Sequence, residues 1–483
     1  MKVLARSVDG AAGKARVVIR GAAMVLLLAA LSPLGWFAAD AVPPGRRGAA
    51  GTDQPNVILV VIDTLRADRL SHYGYDRDTS KALDGFAAEA TRFERCYAPA
   101  PWTGPSTASI VSGLLPARHR VGIATALQPE IETIAERLRA NGWKTAGFSL
   151  NAIISKRTRF DQGFDLFLSH RGKVRAYPDI QPALSVIRQW IGRGARPFFV
   201  YFQPMNVHGP YSVPSEYQSV LLGQAPGREF RFQDPLMRAI TKGMIEKRKE
   251  VTPAYLASLN DQYDTAVRYT TDRLGEFFAA LKRTEVYDNS LIIVTADHGE
   301  ELFDHGGFGH GYTLYDEVLR VPLYVKMPHQ RVARVMHEPV SLTDLYPTIM
   351  EVAGVPVPSG LDGRSLLPYL RADGSPSPAV DPRELVFDVR WAGRCTARGV
   401  LSGRYKLIRV EKNYESNENR VELFDVVDDP RERQNLATSE REAVTRLGDE
   451  MQERFARLSS QKVPSEPKPV QLDTQKLKAL GYL

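Results

Sequence analysis

Cysteine is scarce in this 483-residue chain, with only Cys96 and Cys395. Two thiols exclude a disulfide scaffold. They leave room for one bridge in an oxidising compartment, and nothing near either marks a reactive thiol. No internal repeat or fibrous pattern is present, which sets aside a structural envelope protein. A broad basic face is missing too, although the formal net charge is +7. Residues 1–53 hold seven basic residues against Asp9, Asp40 and Asp53, a local +4, so the rest of the chain carries only +3. No nucleic-acid partner is implied. With 43% apolar and 25% charged residues the composition is that of an ordinary globular protein. The length suits two domains, or one large domain with an appendage.

Five basic residues (Lys2, Arg6, Lys14, Arg16 and Arg20) precede Gly21 to Ala39, nineteen residues without a charge. That stretch is long enough to span a bilayer, and the flanking charge would keep the N-terminus in the cytoplasm. Ala39-Asp40-Ala41 equally offers a small-X-small cleavage site for a signal peptide. Both readings export the chain beyond this segment, to the periplasmic or extracellular side of a membrane. Contact with the membrane would run through the segment itself if it stays uncleaved.

Histidine is also sparse, nine in all, yet His298, His305 and His310 fall within thirteen residues. They follow Ser290-Leu291-Ile292-Ile293-Val294, a β-branched run that predicts a buried strand. Asp297 and His298 then sit at a strand end of an α/β sheet, the usual edge for a binding crevice. A carboxylate, an imidazole and a following glycine that lets the backbone bend around an ion suggest a metal site. Upstream, Asn56 to Ile62 is an almost unbroken apolar run, as in a parallel strand covered on both faces, and it ends at Asp63. An Asp after a strand is by itself often a cap or turn residue; two such strand ends can converge on one edge. A third element, Pro101 to Ser109, places Thr103 at or just before a helix with Pro105 in its first turn. Thr103 is then either an ordinary N-cap or a metal-activated hydroxyl nucleophile beside a helix end that favours negative charge.

In this order the segments resemble the sulfatase family of the alkaline phosphatase superfamily. The resemblance spans roughly residues 55 to 460. It rests on Pro55 to Asp68, Trp102 to His119, Asn206-Val207-His208-Gly209-Pro210-Tyr211 and Ala296-Asp297-His298-Gly299-Glu300. Gly403 to Ile408, Glu422 to Asp425, Asp429 to Glu432 and Asn435 to Ala437 complete it. It implies an α/β fold, an alkaline phosphatase-like sandwich with a large mixed, mainly parallel sheet between helices. A smaller C-terminal α+β subdomain is expected beside it. The boundaries expected are 1–54 for the signal or anchor and linker, 55–375 for the catalytic domain, 384–460 for the subdomain and 461–483 for a tail. The resemblance makes Asp63, Asp297 and His298 ligands of one divalent ion, with Thr103 bridging ion and substrate. It makes His208 and His310 contacts to the transferred group or leaving oxygen, His310 standing where many members have lysine, and Asn151 a substrate contact. For His208 and Asn151, a turn histidine and a strand-end asparagine are the plain structural alternatives. The mixed ligand set suits Zn²⁺ or Mn²⁺ better than Ca²⁺; Mg²⁺ also stays open.

The departures from the pattern bear on the chemistry. True sulfatases carry Cys or Ser in a Cys-X-Pro-Ser-Arg motif, oxidised to formylglycine. Here the motif reads Thr103-Gly104-Pro105-Ser106-Thr107, and the second Asp of the usual pair is Thr64. A formylglycine hydrate releases sulfate with its second hydroxyl, which threonine lacks. An adduct on Thr103 must be cleared by attack at phosphorus or sulfur, which favours phosphate-type over sulfate esters. In this the chain is similar to threonine-dependent lipoteichoic acid synthases and lipid A phosphoethanolamine transferases; more broadly it also resembles phosphonate monoester hydrolases. The expected partner is an anionic ester on a lipid, a glycan or an envelope polymer. Two alternatives are a sulfatase proper and a non-catalytic anion-binding pseudoenzyme; against the latter, Asp63, Asp297 and His298 are all retained. Elsewhere, Ile131 to Ala140 is expected as a helix, and residues 170–260 as an insertion that roofs the pocket. Leu256 to Leu281 keeps helical apolar spacing and is read as core.

Overall fold

The computed structural model describes residues 54–122, 125–169, 180–211, 213–214, 217, 251–371, 383–391, 395–412, 419–461, 465 and 468–472. The Gly21–Ala39 stretch lies outside them, as do residues 170–179 and 218–250 of the expected insertion; its residues 180–211 instead hold regular structure, the helix Gln181–Gly192 and a strand of the main sheet. Among the described residues no helix is long and apolar enough to cross a membrane.

The apolar run after Pro55 forms β1 (Asn56–Ile62), buried at every position as a strand covered on both faces must be. It pairs in parallel with β6 (Ser290–Ala296) on one side and β5 (Phe198–Gln203) on the other. Beyond β5 come β3 (Lys144–Ser149) and β4 (Leu166–Ser169), also parallel. Beyond β6, β9 (Arg320–Lys326) runs antiparallel and leads to β2 (Thr91–Tyr97), whose outer side carries β10 (Arg334–Met336) and β11 (Val340–Ser341). The result is a nine-stranded, mainly parallel sheet. Its register matters for function. Ile62 pairs with Ala296, Val60 with Phe202 and Ser149 with Gln203, so β6, β1, β5 and β3 end side by side on one edge.

Helices cover the sheet. The longest, Pro253–Lys282, starts where the Thr252 hydroxyl accepts from Tyr255 N at 3.2 Å and Pro253 supplies a pre-set φ. Its buried stripe of Tyr263, Val267, Leu274, Phe277 and Phe278 is the expected core face; Phe277 meets Phe202 of β5 and Phe278 stacks on Phe86. The helix expected from Ile131 begins instead at Ile134. Thr133 and Glu136 close a capping box, hydroxyl to Glu136 N at 3.1 Å and carboxylate to Thr133 N at 2.9 Å, and this reciprocal pair fixes the start.

Toward the C-terminus, β12 (Leu385–Trp391), β13 (Cys395–Ser402), β14 (Tyr405–Lys412) and β15 (Arg420–Asp425) form an antiparallel sheet in chain order. The helix Arg441–Ser460 lays Leu447, Met451, Phe455 and Leu458 on Val386, Val400, Leu407 and Leu423 of that sheet, a second core. A buried ion triad ties β14 to the turn that leads into β9: Lys406 Nζ lies 2.6 Å from Asp316 and 2.5 Å from Glu432. The two cysteines do not bridge. Both are buried and free, and Cys395 donates to the Tyr312 carbonyl at 3.0 Å, so they pack as small apolar side chains.

Phe455 anchors the second core under the Arg398 guanidinium, 4.8 Å from its ring. Phe455→Ala is expected to cost about 3 kcal/mol in denaturant unfolding, the low end for a buried aromatic. A loss under roughly 1 kcal/mol would mean that this helix contributes little to stability.

Candidate active site

Where β1 and β6 end, the parallel register sets Asp63 and Asp297 next to each other, and both are wholly buried. Burial pushes both carboxyl groups above the usual carboxylate range, and the neighbouring Asp63 charge raises Asp297 further. His298 is next in the chain. Its Nδ1 faces the Gly299 carbonyl at 2.8 Å, a contact that assigns the proton to Nδ1 and leaves the Nε2 lone pair for another partner. Burial, and then the neighbouring His310, push its pKa well below the ordinary value, so the ring is neutral.

One ligand atom from each of Asp63, Asp297 and His298 lies within 4.8 Å of the others. Asp63 Oδ1 is buried and has no hydrogen-bond partner. Two crowded acids, a neutral imidazole and an unsatisfied carboxylate oxygen fit a divalent cation, whose charge would offset the cost of burying the pair.

Thr103 is the first residue of the helix Thr103–Ser112, and the N-cap is Trp102, which makes no side-chain cap bond. The ordinary N-cap role is therefore not the one Thr103 plays. Its Oγ1 lies 3.2 Å from His298 Nε2 and 3.4 Å from Asn151 Nδ2. Asn151, just past β3, also donates to Asp63 Oδ2 at 2.6 Å. The helix is held against β6 by Ser106 Oγ, which donates to the Asp297 carbonyl at 2.5 Å.

His310 comes back toward His298 on the short hairpin of β7 (Glu301–Leu302) and β8 (Phe308–Gly309), their ring centres 4.6 Å apart. Its Nδ1 is 2.8 Å from Glu300 Oε1; burial pushes the Glu300 pKa up to about 7. His208 lies edge-on to His310 at 5.0 Å, with Nδ1 2.8 Å from the Gly209 carbonyl. All seven residues expected from the sequence thus fall in one buried cluster.

His305 does not join them. It stacks on Tyr315 at 3.7 Å, with Nδ1 2.6 Å from Glu317 and Nε2 3.0 Å from the Glu432 carbonyl, in the joint between the two sheets. Histidine density alone overstated the site by one residue. Gly299 also has a reason other than the one expected. A Cβ there would lie 2.0 Å from the Glu317 carbonyl, because the Gly299 and Glu300 amides pair with Val318 and Glu317.

Three contributors went unnoticed in the sequence. Gln203, at the end of β5, reaches both carboxylates at 3.3 Å. Glu300 holds His310. Arg66, buried, spans Asp68, Asp304 and the Glu300 carbonyl, tying the loop after β1 to the loop after β6. Gln203 could have been found as the single polar residue closing an otherwise aromatic and apolar strand, Phe198-Phe199-Val200-Tyr201-Phe202.

Comparison with known proteins agrees with this architecture. The family model described as Sulfatase matches residues 55–355, and that described as N-sulphoglucosamine sulphohydrolase, C-terminal, matches residues 304–461. Arylsulfatase K of Canis lupus familiaris is 26% identical over 371 residues, 67% of this chain and 68% of the relative. The multifunctional alkaline phosphatase superfamily protein PehA of Trinickia caryophylli is 27% identical over 417 residues, covering 69% of this chain and 80% of its own length. The solved phosphonate monoester hydrolase of Agrobacterium radiobacter, at 21% identity, shares the fold with a TM-score of 0.65 over 84% of this chain and 96% of its own.

Elemental analysis of the purified protein should find one divalent ion per chain, and Asp297→Ala should lose it; an unchanged content would exclude these ligands. A second expectation concerns His305, whose pKa is raised to about 9, chiefly by Glu317 against the cost of burial. Its folded-state value exceeds the unfolded one, so the stabilisation is complete below about pH 6.5 and is lost as pH rises through about 9. Thermal unfolding should therefore weaken more between pH 7 and 9 in the wild type than in His305→Gln. Parallel profiles would show that the pair contributes nothing.

Proposed function

The chain belongs to the sulfatase family, and we propose that Thr103 is the nucleophile of a metal-dependent ester hydrolase or transferase acting outside the cytoplasm. The observation that carries this reading is the placement of the Thr103 hydroxyl. It sits at the first turn of a buried helix, within 3.4 Å of His298 and Asn151 and beside the Asp63–Asp297 pair. A divalent ion on Asp63, Asp297 and His298 would supply positive charge against the anionic ester and lower the pKa of a nearby hydroxyl.

The chain's own residues account for the rest. Thr103 Oγ1 attacks the central atom of the ester in line. The N-terminal end of that helix, whose dipole favours negative charge, would stabilise the charge that builds on the equatorial oxygens. Asn151 spans Asp63 and Thr103, fixing the nucleophile relative to the carboxylates. The proton that Thr103 gives up passes to His310, oriented through Nδ1 by Glu300, or to His208 beside it, and that ring returns it to the leaving alcohol. Water or an acceptor alcohol then attacks the adduct, and Thr103 leaves as the alcohol.

Phosphorus rather than sulfur is favoured as the central atom. Thr103 has a single hydroxyl and so cannot clear an adduct by the elimination open to a formylglycine hydrate. The alkaline phosphatase superfamily named for one relative and the phosphonate ester named for a structural neighbour support this choice. A sulfate ester is the second reading, favoured by the arylsulfatase relative. The natural substrate is proposed as an anionic ester on a lipid, a glycan or an envelope polymer. Export rests on the Gly21–Ala39 segment of the sequence.

Thr103→Ala should lower turnover of an aryl phosphodiester by several orders of magnitude with unchanged metal content and unfolding temperature. Thr103→Ser should keep part of the activity, since only a methyl is lost. Thr103→Cys should be poor toward both phosphate and sulfate esters. Wild-type rates in Thr103→Ala would remove Thr103 from the chemistry. Faster turnover of an aryl sulfate than of the phosphodiester in the wild type would favour the second reading.

A further inference from the structure

Gln203 closes β5 with its side chain wholly buried. Its Nε2 donates to Asp63 Oδ2 and to Asp297 Oδ2, each at 3.3 Å. Its Oε1 accepts from the Tyr201 hydroxyl at 2.8 Å, two residues back and so on the same face of the strand. Burial, and then the nearby Asp297 and Asp63, push the Tyr201 pKa well above its ordinary value, so the hydroxyl keeps its proton and donates. A flipped amide would turn Oε1 toward two carboxylates and leave the Tyr201 hydroxyl without this acceptor. The amide is therefore fixed in one orientation.

The other donors at the pair are also assigned. Asp63 Oδ2 takes the Asn151 amide at 2.6 Å; Asp297 Oδ1 takes the backbone N–H of Thr64 at 3.3 Å and of His298 at 2.9 Å. The carboxylate oxygen left over is Asp63 Oδ1, buried and without a partner. Gln203 thus donates to both acids through one nitrogen.

We propose that Gln203, locked by Tyr201, is a positioning residue of the metal site, holding the two carboxylates in a single arrangement that reserves Asp63 Oδ1 for the ion. This rests on the reading of Asp63, Asp297 and His298 as the ligands. Partners that orient ligating groups from outside typically contribute about 10–100-fold in metal affinity. Gln203 would do so while lessening the repulsion between two buried acids.

The test is Mn²⁺ binding to the full chain, followed by electron paramagnetic resonance of the free ion, with unfolding temperatures measured in the metal-free and Mn²⁺-loaded states. Gln203→Leu should raise the Mn²⁺ Kd by about 10–100-fold, and the gain in unfolding temperature on adding Mn²⁺ should shrink. Tyr201→Phe, which removes only the hydroxyl, should shift both in the same direction by less. A merely space-filling role would lower both unfolding temperatures equally and leave Kd unchanged, and that result overturns the proposal. Asp297→Ala, run in parallel, separates the two levels. If it loses Mn²⁺ while Gln203→Leu and Tyr201→Phe keep the wild-type Kd, the positioning role fails and the ligand set stands. If Asp297→Ala binds Mn²⁺ as the wild type does, both fall. Should Gln203→Leu not fold, an unchanged Kd in Tyr201→Phe is sufficient to overturn the proposal.

Discussion

Two carboxylates buried side by side, Asp63 and Asp297, set the terms for everything around them. Parallel pairing of β1 with β6 gives the pair no freedom to separate, because the strands end in register at Ile62 and Ala296. In a dry interior such a pair is costly unless it is protonated or matched by positive charge. The surroundings answer with dipoles: the Asn151 and Gln203 amides and the Thr64 and His298 N–H groups all point at these oxygens. Those donors lessen the charge without cancelling it. The remainder is what a divalent ion at this edge of the sheet would offset.

That constraint organises the rest of the site outward. The helix that begins at Thr103 is fastened to β6 through Ser106, so the hydroxyl's distance from the acids is set by the sheet rather than by a loop. Arg66 clamps the loops after β1 and β6 to each other. The hairpin that carries His310 starts from the same β6 segment, and Glu300 sets the ring's orientation. Side chains on rigid elements, each held by a second partner, are the arrangement that fixed geometry requires.

Much of this was legible in the sequence, for identifiable reasons. The unbroken apolar runs of β1 and β6 announce parallel strands, and an acid directly after each marks the functional edge. The residues expected at the site, from Asp63 to His310, meet in one cluster. What escaped depends on pairing between distant strands. Nothing local says that Gln203 stands beside Asp63, because the register of β5 against β1 decides it. His305 looked equivalent to His298 and His310 until the fold turned it toward Glu317 and Tyr315. The start of the helix at Ile134 turned on a capping box, a local signal that apolar spacing does not register.

The chemistry turns on whether Thr103 carries the transferred group. The direct measurement is peptide mass spectrometry of a slow variant such as His310→Ala, acid-quenched during turnover of an aryl phosphodiester. A phosphoryl group on the peptide containing Thr103, absent without substrate, is expected. An unmodified Thr103 peptide throughout turnover, or phosphorylation at another side chain, would contradict it and leave the ion to activate water alone.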